Sequence, residues 1–224
     1  MKSKIGLTLI VLILLLSGCR KPANTPSQQP PTPSATAAGT SQPAEGQATA
    51  SAENYLLVQP EHTETPAPTI KAETGALPET QTFTNHTSAE GKYDIQAPDG
   101  WKKKEQGPNL KFTHGNSGME VEIIETTEPF SLETVKGVQL ADLVRKGRAV
   151  EIKTVGMTDT NGGKAVYVDY ENNSEPAGGK QHRQVNHRYY FSRNGHLAVL
   201  TLWAPAGADN ENIWKQIPDT FYWR

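Results

Sequence analysis

His196-Leu197-Ala198-Val199-Leu200-Thr201-Leu202-Trp203 carries apolar residues on both sides of an extended chain. Side chains alternate across a strand, so Leu197, Val199 and Trp203 face one way and Ala198, Leu200 and Leu202 the other. A strand with two apolar faces must be covered twice, which places this one centrally in a sheet with a packed layer on each side. Asn194-Gly195 just before it is the strongest hairpin signal in the chain and pairs it antiparallel with the extended piece at 181–192.

Working outward, further extended pieces are read at 150–157 and 164–170, bounded by Asn161-Gly162-Gly163 and by the turn residues from Pro176 to Gly179. Met119, Val121 and Ile123 alternate with Glu120 and Glu122 as in a half-buried strand, and Leu110 and Phe112 mark a shorter one. Tyr93, Ile95 and Ala97 alternate ahead of the turn signature Pro98-Asp99-Gly100, after which Trp101 opens another extended piece. Between the two β-rich halves, Ser131 can cap a helix that runs through Leu132, Val135, Leu140, Leu143 and Val144 to Gly147, with Gly137 placed to divide it. Near the C-terminus, 209–221 sets Ile213, Trp214, Ile217 and Phe221 on one side, and Pro218 must kink or end the helix there. This order predicts an α+β fold, an antiparallel β-sheet flanked by helices.

That order, with Tyr93-Asp94-Ile95-Gln96-Ala97-Pro98-Asp99-Gly100-Trp101, the stretch Asn161-Gly162-Gly163-Lys164-Ala165 before a strand, and Ile213-Trp214 and Ile217 ahead of Phe221, resembles the PsbP-like superfamily over about 130 residues. The superfamily is named for an extrinsic photosystem subunit and includes a small nuclear-transport factor and many bacterial lipoproteins. The resemblance implies an α/β/α sandwich around an antiparallel sheet, and a binding or assembly module without catalytic machinery. Its motifs are a strand, a tight turn and a core tryptophan, so no functional residue is carried over.

The N-terminus speaks to location. Lys2 and Lys4 precede an apolar stretch from Ile5 to Leu16, and Leu16-Ser17-Gly18-Cys19 follows. This is the layout of an export signal, too short for a hydrocarbon core that needs about 20 apolar residues. The tetrapeptide resembles the bacterial lipobox, in which the cysteine thiol takes a diacylglyceryl group and the chain is cut just before it. Residues 1–18 are therefore expected to be a lipoprotein signal peptide recognised through Leu16, Ser17 and Gly18, with Cys19 as the lipid anchor on the extracytoplasmic side of a bacterial cell membrane. Cys19 is the only cysteine in 224 residues, so the fold must hold without a disulfide within the chain.

From Arg20 to His86 the chain is rich in Pro, Thr, Ser, Ala and Gln, with runs such as Gln29-Pro30-Pro31-Thr32-Pro33 that cannot form a helix or an interior strand. Residues 19–86 are expected to be a lipidated, disordered tether spanning roughly 45 Å. It either carries the domain away from the bilayer through wall material or serves as a spacer. Tyr55-Leu56-Leu57-Val58 alone breaks the pattern, as a patch that docks on the domain or a partner or as a chance cluster. Residues 87–224 then form one domain. There 17 Lys and Arg stand against 18 Asp and Glu, a balance that with export argues against nucleic acid as a partner.

Chemistry-bearing motifs are few. His182 and His187 share one predicted strand five residues apart, which sets them on opposite faces and denies them a common metal. His114 and His196 are read as turn or surface residues. No Gly-x-Ser-x-Gly elbow or phosphate-cradling Gly-Lys-Ser/Thr loop occurs. Asp169 and Glu171 sit on one strand face and are read as solvated carboxylates, and Lys102-Lys103-Lys104 as edge protection more than an anion-binding patch. The chain is expected to be no enzyme, with no catalytic, cofactor-binding or metal-binding residue and no cofactor. Its expected partners are the membrane, through the lipid, and an unidentified envelope protein or wall polymer. The alternatives are an envelope enzyme whose His and carboxylate site is assembled in space, which a pocket uniting His114, His187 and a carboxylate would favour, and a passive structural wall or spore protein.

Overall fold

The computed structural model describes residues 58–70, 76–78, 80–208 and 210–224. The leader with Leu16, Ser17, Gly18 and Cys19, and Tyr55, Leu56 and Leu57 of the apolar run, lie outside the described residues. In chain order the strands are β1 (Phe83–Ser88), β2 (Tyr93–Pro98), β3 (Lys102–Gln106), β4 (Asn109–His114), β5 (Ser117–Glu125), β6 (Glu151–Thr160), β7 (Gly163–Asn173), β8 (Arg183–Arg193), β9 (His196–Pro205) and β10 (Tyr222–Trp223). A continuous helical stretch, 132–146, joins β5 to β6. It consists of α1 (Leu132–Thr134), a π-helical segment (Val135–Leu140) and α2 (Ala141–Lys146). α3 (Glu211–Trp214) and a 3₁₀ turn (Pro218–Thr220) precede β10.

β9 is the middle strand of a seven-stranded antiparallel sheet, order β3-β4-β5-β9-β8-β7-β6. Asn194 and Gly195 take φ of 50° and 76°, the left-handed pair that a two-residue hairpin of the matching twist requires, and Arg193 pairs with His196 across it. Each face of β9 belongs to its own core. Ala198, Leu200 and Leu202 pack with Phe112, Met119, Val121, Phe191 and Phe221, while Leu197 and Val199 pack with Val135, Leu140, Val166, Val168 and Tyr190. Leu200 and Leu202 are fully buried, each worth about 1.5–3 kcal/mol of transfer free energy.

The second of these faces is covered by 132–146. Ser131 caps it by accepting the Thr134 N–H at 3.0 Å. Gly137 does not divide the helix. It lies in the π-helical segment, where the wider turn absorbs the irregular spacing between Val135 and Leu140, and both of those residues stay buried. The first face is covered by a separate three-stranded sheet, order β1-β2-β10, together with α3 and the 3₁₀ turn. Tyr93, Ile95 and Ala97 of β2 point inward, as their alternation predicts, against Phe221, Ile217, Trp214 and Ile213. The helix expected over 209–221 is two short turns, with Pro218 opening the second. The architecture is α+β, an antiparallel sheet flanked by helices.

The expected boundary at residue 87 falls within a strand. Thr87 lies inside β1, which pairs along its length with β2 from Phe83↔Pro98 to Ser88↔Tyr93. Part of the expected tether also lies along the domain. The Glu61 N–H donates to the Arg145 carbonyl at 2.7 Å, Gln181 Nε2 donates to Glu64 at 3.0 Å, Arg148 pairs with Glu64, and the Arg183 N–H donates to the Pro68 carbonyl at 3.1 Å. Lys102, Lys103 and Lys104 are exposed on β3, an edge strand, where a row of charge blocks pairing with another chain.

Candidate functional site

β7 and β8 pair in a register that sets Asp169 opposite His187 and Tyr167 opposite Tyr189. These four side chains lie on the sheet face shared with α3. They line a cleft of about 520 Å³ together with Thr158 of β6, Trp214 of α3, Asn210 and the exposed Lys215. Short turns at the C-terminus make this wall possible, because α3 brings Trp214 onto the sheet and buries it to 3% exposure.

The rings interlock edge to face. His187 and Trp214 are 4.9 Å apart at 72° and Tyr167 and His187 are 5.5 Å apart at 89°, while Tyr189 lies 5.0 Å from Tyr167, tilted at 43°. Such pairs hold each other's orientation and add roughly 0.5–1.5 kcal/mol each beyond area burial. The Trp214 Nε1 is buried with no acceptor among the described residues. Burial raises the Asp169 carboxyl above its ordinary pKa, and the charge of His187 opposes that rise only in part. Burial also pushes the Tyr189 hydroxyl up to about 12. The cleft thus offers apolar ring surface, one carboxyl inclined to hold its proton, and an ammonium group.

Of the residues singled out in the sequence, the fold brings Asp169 and His187 together. Glu171, the other carboxylate on that strand face, is drawn aside by Arg183 at 3.0 Å and Lys153 at 3.9 Å. His114 is not in the cleft. Its ring stacks on Trp101 at 6.4 Å, at the end of β4. His182 lies one residue ahead of β8, with Nδ1 3.2 Å from Ser174 Oγ, and burial lowers its pKa. His196 Nδ1 is 3.1 Å from the Asn194 carbonyl in the hairpin. Among the described residues no group of three or more His, Cys, Asp or Glu is placed to hold a metal ion.

Sequence reasoning missed Tyr167, Tyr189 and Trp214 as members of a site. The register of β7 on β8 was the signal that would have united the first two with Asp169 and His187, and alternation within a strand does not carry it.

No protein-family model and no curated protein sequence matches the chain. Solved structures similar to it include the following three. The cyanobacterial PsbP protein CyanoP of Synechocystis matches with a TM-score of 0.46 at 13% identity, over 68% of this chain and 99% of its own. The Ran-binding protein Mog1p of Saccharomyces cerevisiae matches with a TM-score of 0.44 at 10% identity, over 61% of this chain and 84% of its own. LpqN of Mycobacterium tuberculosis, described as involved in cell envelope biogenesis, matches with a TM-score of 0.37 at 16% identity, over 64% of this chain and 91% of its own.

Proposed function

We propose that the chain is an extracytoplasmic lipoprotein, anchored through lipid on Cys19 after removal of residues 1–18, whose domain is a non-enzymatic binding or assembly module of the cell envelope. The observation that carries the binding reading is the aromatic cleft, where Tyr167, His187 and Trp214 meet edge to face beside half-buried Asp169. Ring surfaces with a few polar groups orient and hold a partner segment or a polymer unit without a reaction. The absence of catalysis is supported by the ion pairs that occupy Glu171 and by the position of His114 outside the cleft. The cross-strand approach of His187 to Asp169 is what favours the alternative, an envelope enzyme using that pair as acid and base.

Anchoring is tested by Cys19→Ala, which should abolish labelling by a fatty-acid probe and leave the precursor uncut; labelling that persists removes the anchor from the reading. Binding is tested with the mature chain carrying Cys19→Ser, immobilised and exposed to membrane and wall extracts. Capture of one saturable partner, competed by free protein and weakened at least tenfold by Tyr167→Ser or His187→Ala, is the expected result. A blank from every extract, with turnover of a wall or lipid substrate that Asp169→Asn abolishes, would replace the binding module with the enzyme.

A further inference from the structure

A second concavity, of about 870 Å³, lies on the opposite face of the sheet, between the helical stretch 132–146 and strands β5, β8 and β9. Two of the four large apolar side chains exposed among the described residues line it, Ile124 at 45% and Val138 at 48% exposure. Its charges are of both signs, with Glu122 and Asp142 beside Arg145 and Arg188, so nothing in it selects a strongly charged ligand. The helix covers the β6 to β9 side of this face and leaves Ile124 of β5 beside an open groove.

The chain's own upstream segment reaches this groove. Val58 is one of its lining residues. Three residues later, Glu61 is fixed to the end of α2, its N–H donating to the Arg145 carbonyl at 2.7 Å and its carboxylate 2.8 Å from the Arg145 guanidinium. Val58 closes Tyr55-Leu56-Leu57-Val58, the only run of four apolar residues between Arg20 and Thr82. Three residues extend about 10 Å at most, so the start of the run is within that reach of Val58.

The geometry points to a docking site in which Tyr55, Leu56 and Leu57 seat beside Val58 against Ile124 and Val138, so that the tether is held on the helix face of its own domain. The occupant is fixed by continuity: the apolar run is tied to the groove by Val58 at one end and cannot diffuse from it while Glu61 holds. Two consequences follow. The free tether shortens to about 35 residues, with a span of about 33 Å, and it leaves from the helix face and not from β1. The aromatic cleft lies on the other face, where the upstream chain returns as buried Leu77, whose N–H donates to Asn210 Oδ1 at 2.7 Å. The docking does not depend on what the aromatic cleft binds.

The test uses the mature chain carrying Cys19→Ser, with Val138→Cys as a thiol probe in the groove; Val138 is exposed, so the replacement leaves the core intact. A small maleimide should label Cys at 138 at least tenfold more slowly than it does after the further change Leu56→Ser with Leu57→Ser. Hydrogen exchange at 55–58 should be at least tenfold slower than at 30–50 in the first protein and equal to it in the second. Equal labelling rates, or exchange at 55–58 as fast as in the rest of the tether, would overturn the docking. Protection that grows with protein concentration would also overturn it, by assigning the groove to a second copy.

Discussion

Asn173 Oδ1 accepts the backbone N–H of Ala67 at 2.8 Å, and its Nδ2 donates to the Thr65 carbonyl at 2.9 Å, so one buried amide at the end of β7 holds a segment more than 100 residues upstream. The two bonds replace those a neighbouring strand would make, in a stretch whose prolines exclude a ladder. At roughly 1 kcal/mol net per bond, Asn173→Ala should lower stability by about 2 kcal/mol. It should also open residues 58–70 to limited proteolysis at enzyme concentrations that leave the parent uncut. Asn173→Asp keeps the acceptor for Ala67 but turns the donor into a carboxylate oxygen facing the Thr65 carbonyl and Glu64, now 3.4 Å from Nδ2, and should also open the segment. An uncut 58–70 in both variants would show that the bonds at Glu61, Glu64 and Pro68 hold the segment without Asn173.

Gly118 has no room for a side chain. It pairs across strands with Trp203, and a Cβ there would stand 2.2 Å from Trp203 Cζ2. The indole is fixed from another side by the Lys111 ammonium, 5.0 Å from its ring, which is itself paired with Glu120 at 2.8 Å. Gly118→Ala should therefore cost about 1–3 kcal/mol as overpacking. Trp203→Leu in the same chain should return part of that loss, a coupling that a double-mutant cycle in denaturant reads directly. Additive losses would place the strain elsewhere on β5.

What the sequence disclosed follows from how each element earns its stability. β9 was legible because both its faces are buried, its hairpin because only a few residue pairs take two positive φ angles, and the helix start because Ser131 supplies a cap. β1 was not legible. Phe83-Thr84-Asn85-His86-Thr87-Ser88 is mostly exposed and is held by its ladder to β2 and by Asp99, which accepts from the Thr82 and Thr84 hydroxyls. The segment from Glu61 to Pro68 left no apolar trace for the same reason: backbone groups and Glu64 bind it. Tyr93 to Ala97 read correctly as a strand, but alternation says only that one face is buried and not which sheet the strand joins. The site was half legible, since Asp169 and His187 were visible singly while the register that opposes them is a tertiary fact.

Leu200 tests the central position of β9. It is fully buried, pairs with Val121 on one side and Tyr189 on the other, and has no surface into which a vacancy could relax. Leu200→Ala should cost about 2–5 kcal/mol. Val138→Ala, on the exposed groove, should change stability by less than about 0.5 kcal/mol. Chemical denaturation of the two variants side by side checks both values, and a small loss at Leu200 would contradict a core built on this strand.

The sign of one pH dependence tells a buried, proton-holding Asp169 from one ionised beside a charged His187. Burial raises its pKa in the folded chain, and His187 offsets this only partly. The native state then holds the proton more tightly than the unfolded chain, whose carboxyl titrates near 4. Stability contributed by Asp169 is present in full below that pH, and it falls as the pH rises toward the folded pKa, beyond which the loss is constant. Asp169→Asn has no proton to lose, so its melting temperature should match the parent's at about pH 3, exceed it as the pH rises above about 4, and hold a constant margin beyond the folded pKa. Were Asp169 instead an ionised partner that stabilises a charged His187, its folded pKa would be depressed and the difference would reverse: the variant would fall below the parent as the pH rose. Thermal melts of the two proteins from pH 3 to 7 decide between these, since the groups that do not couple to Asp169 are common to both and cancel in the difference.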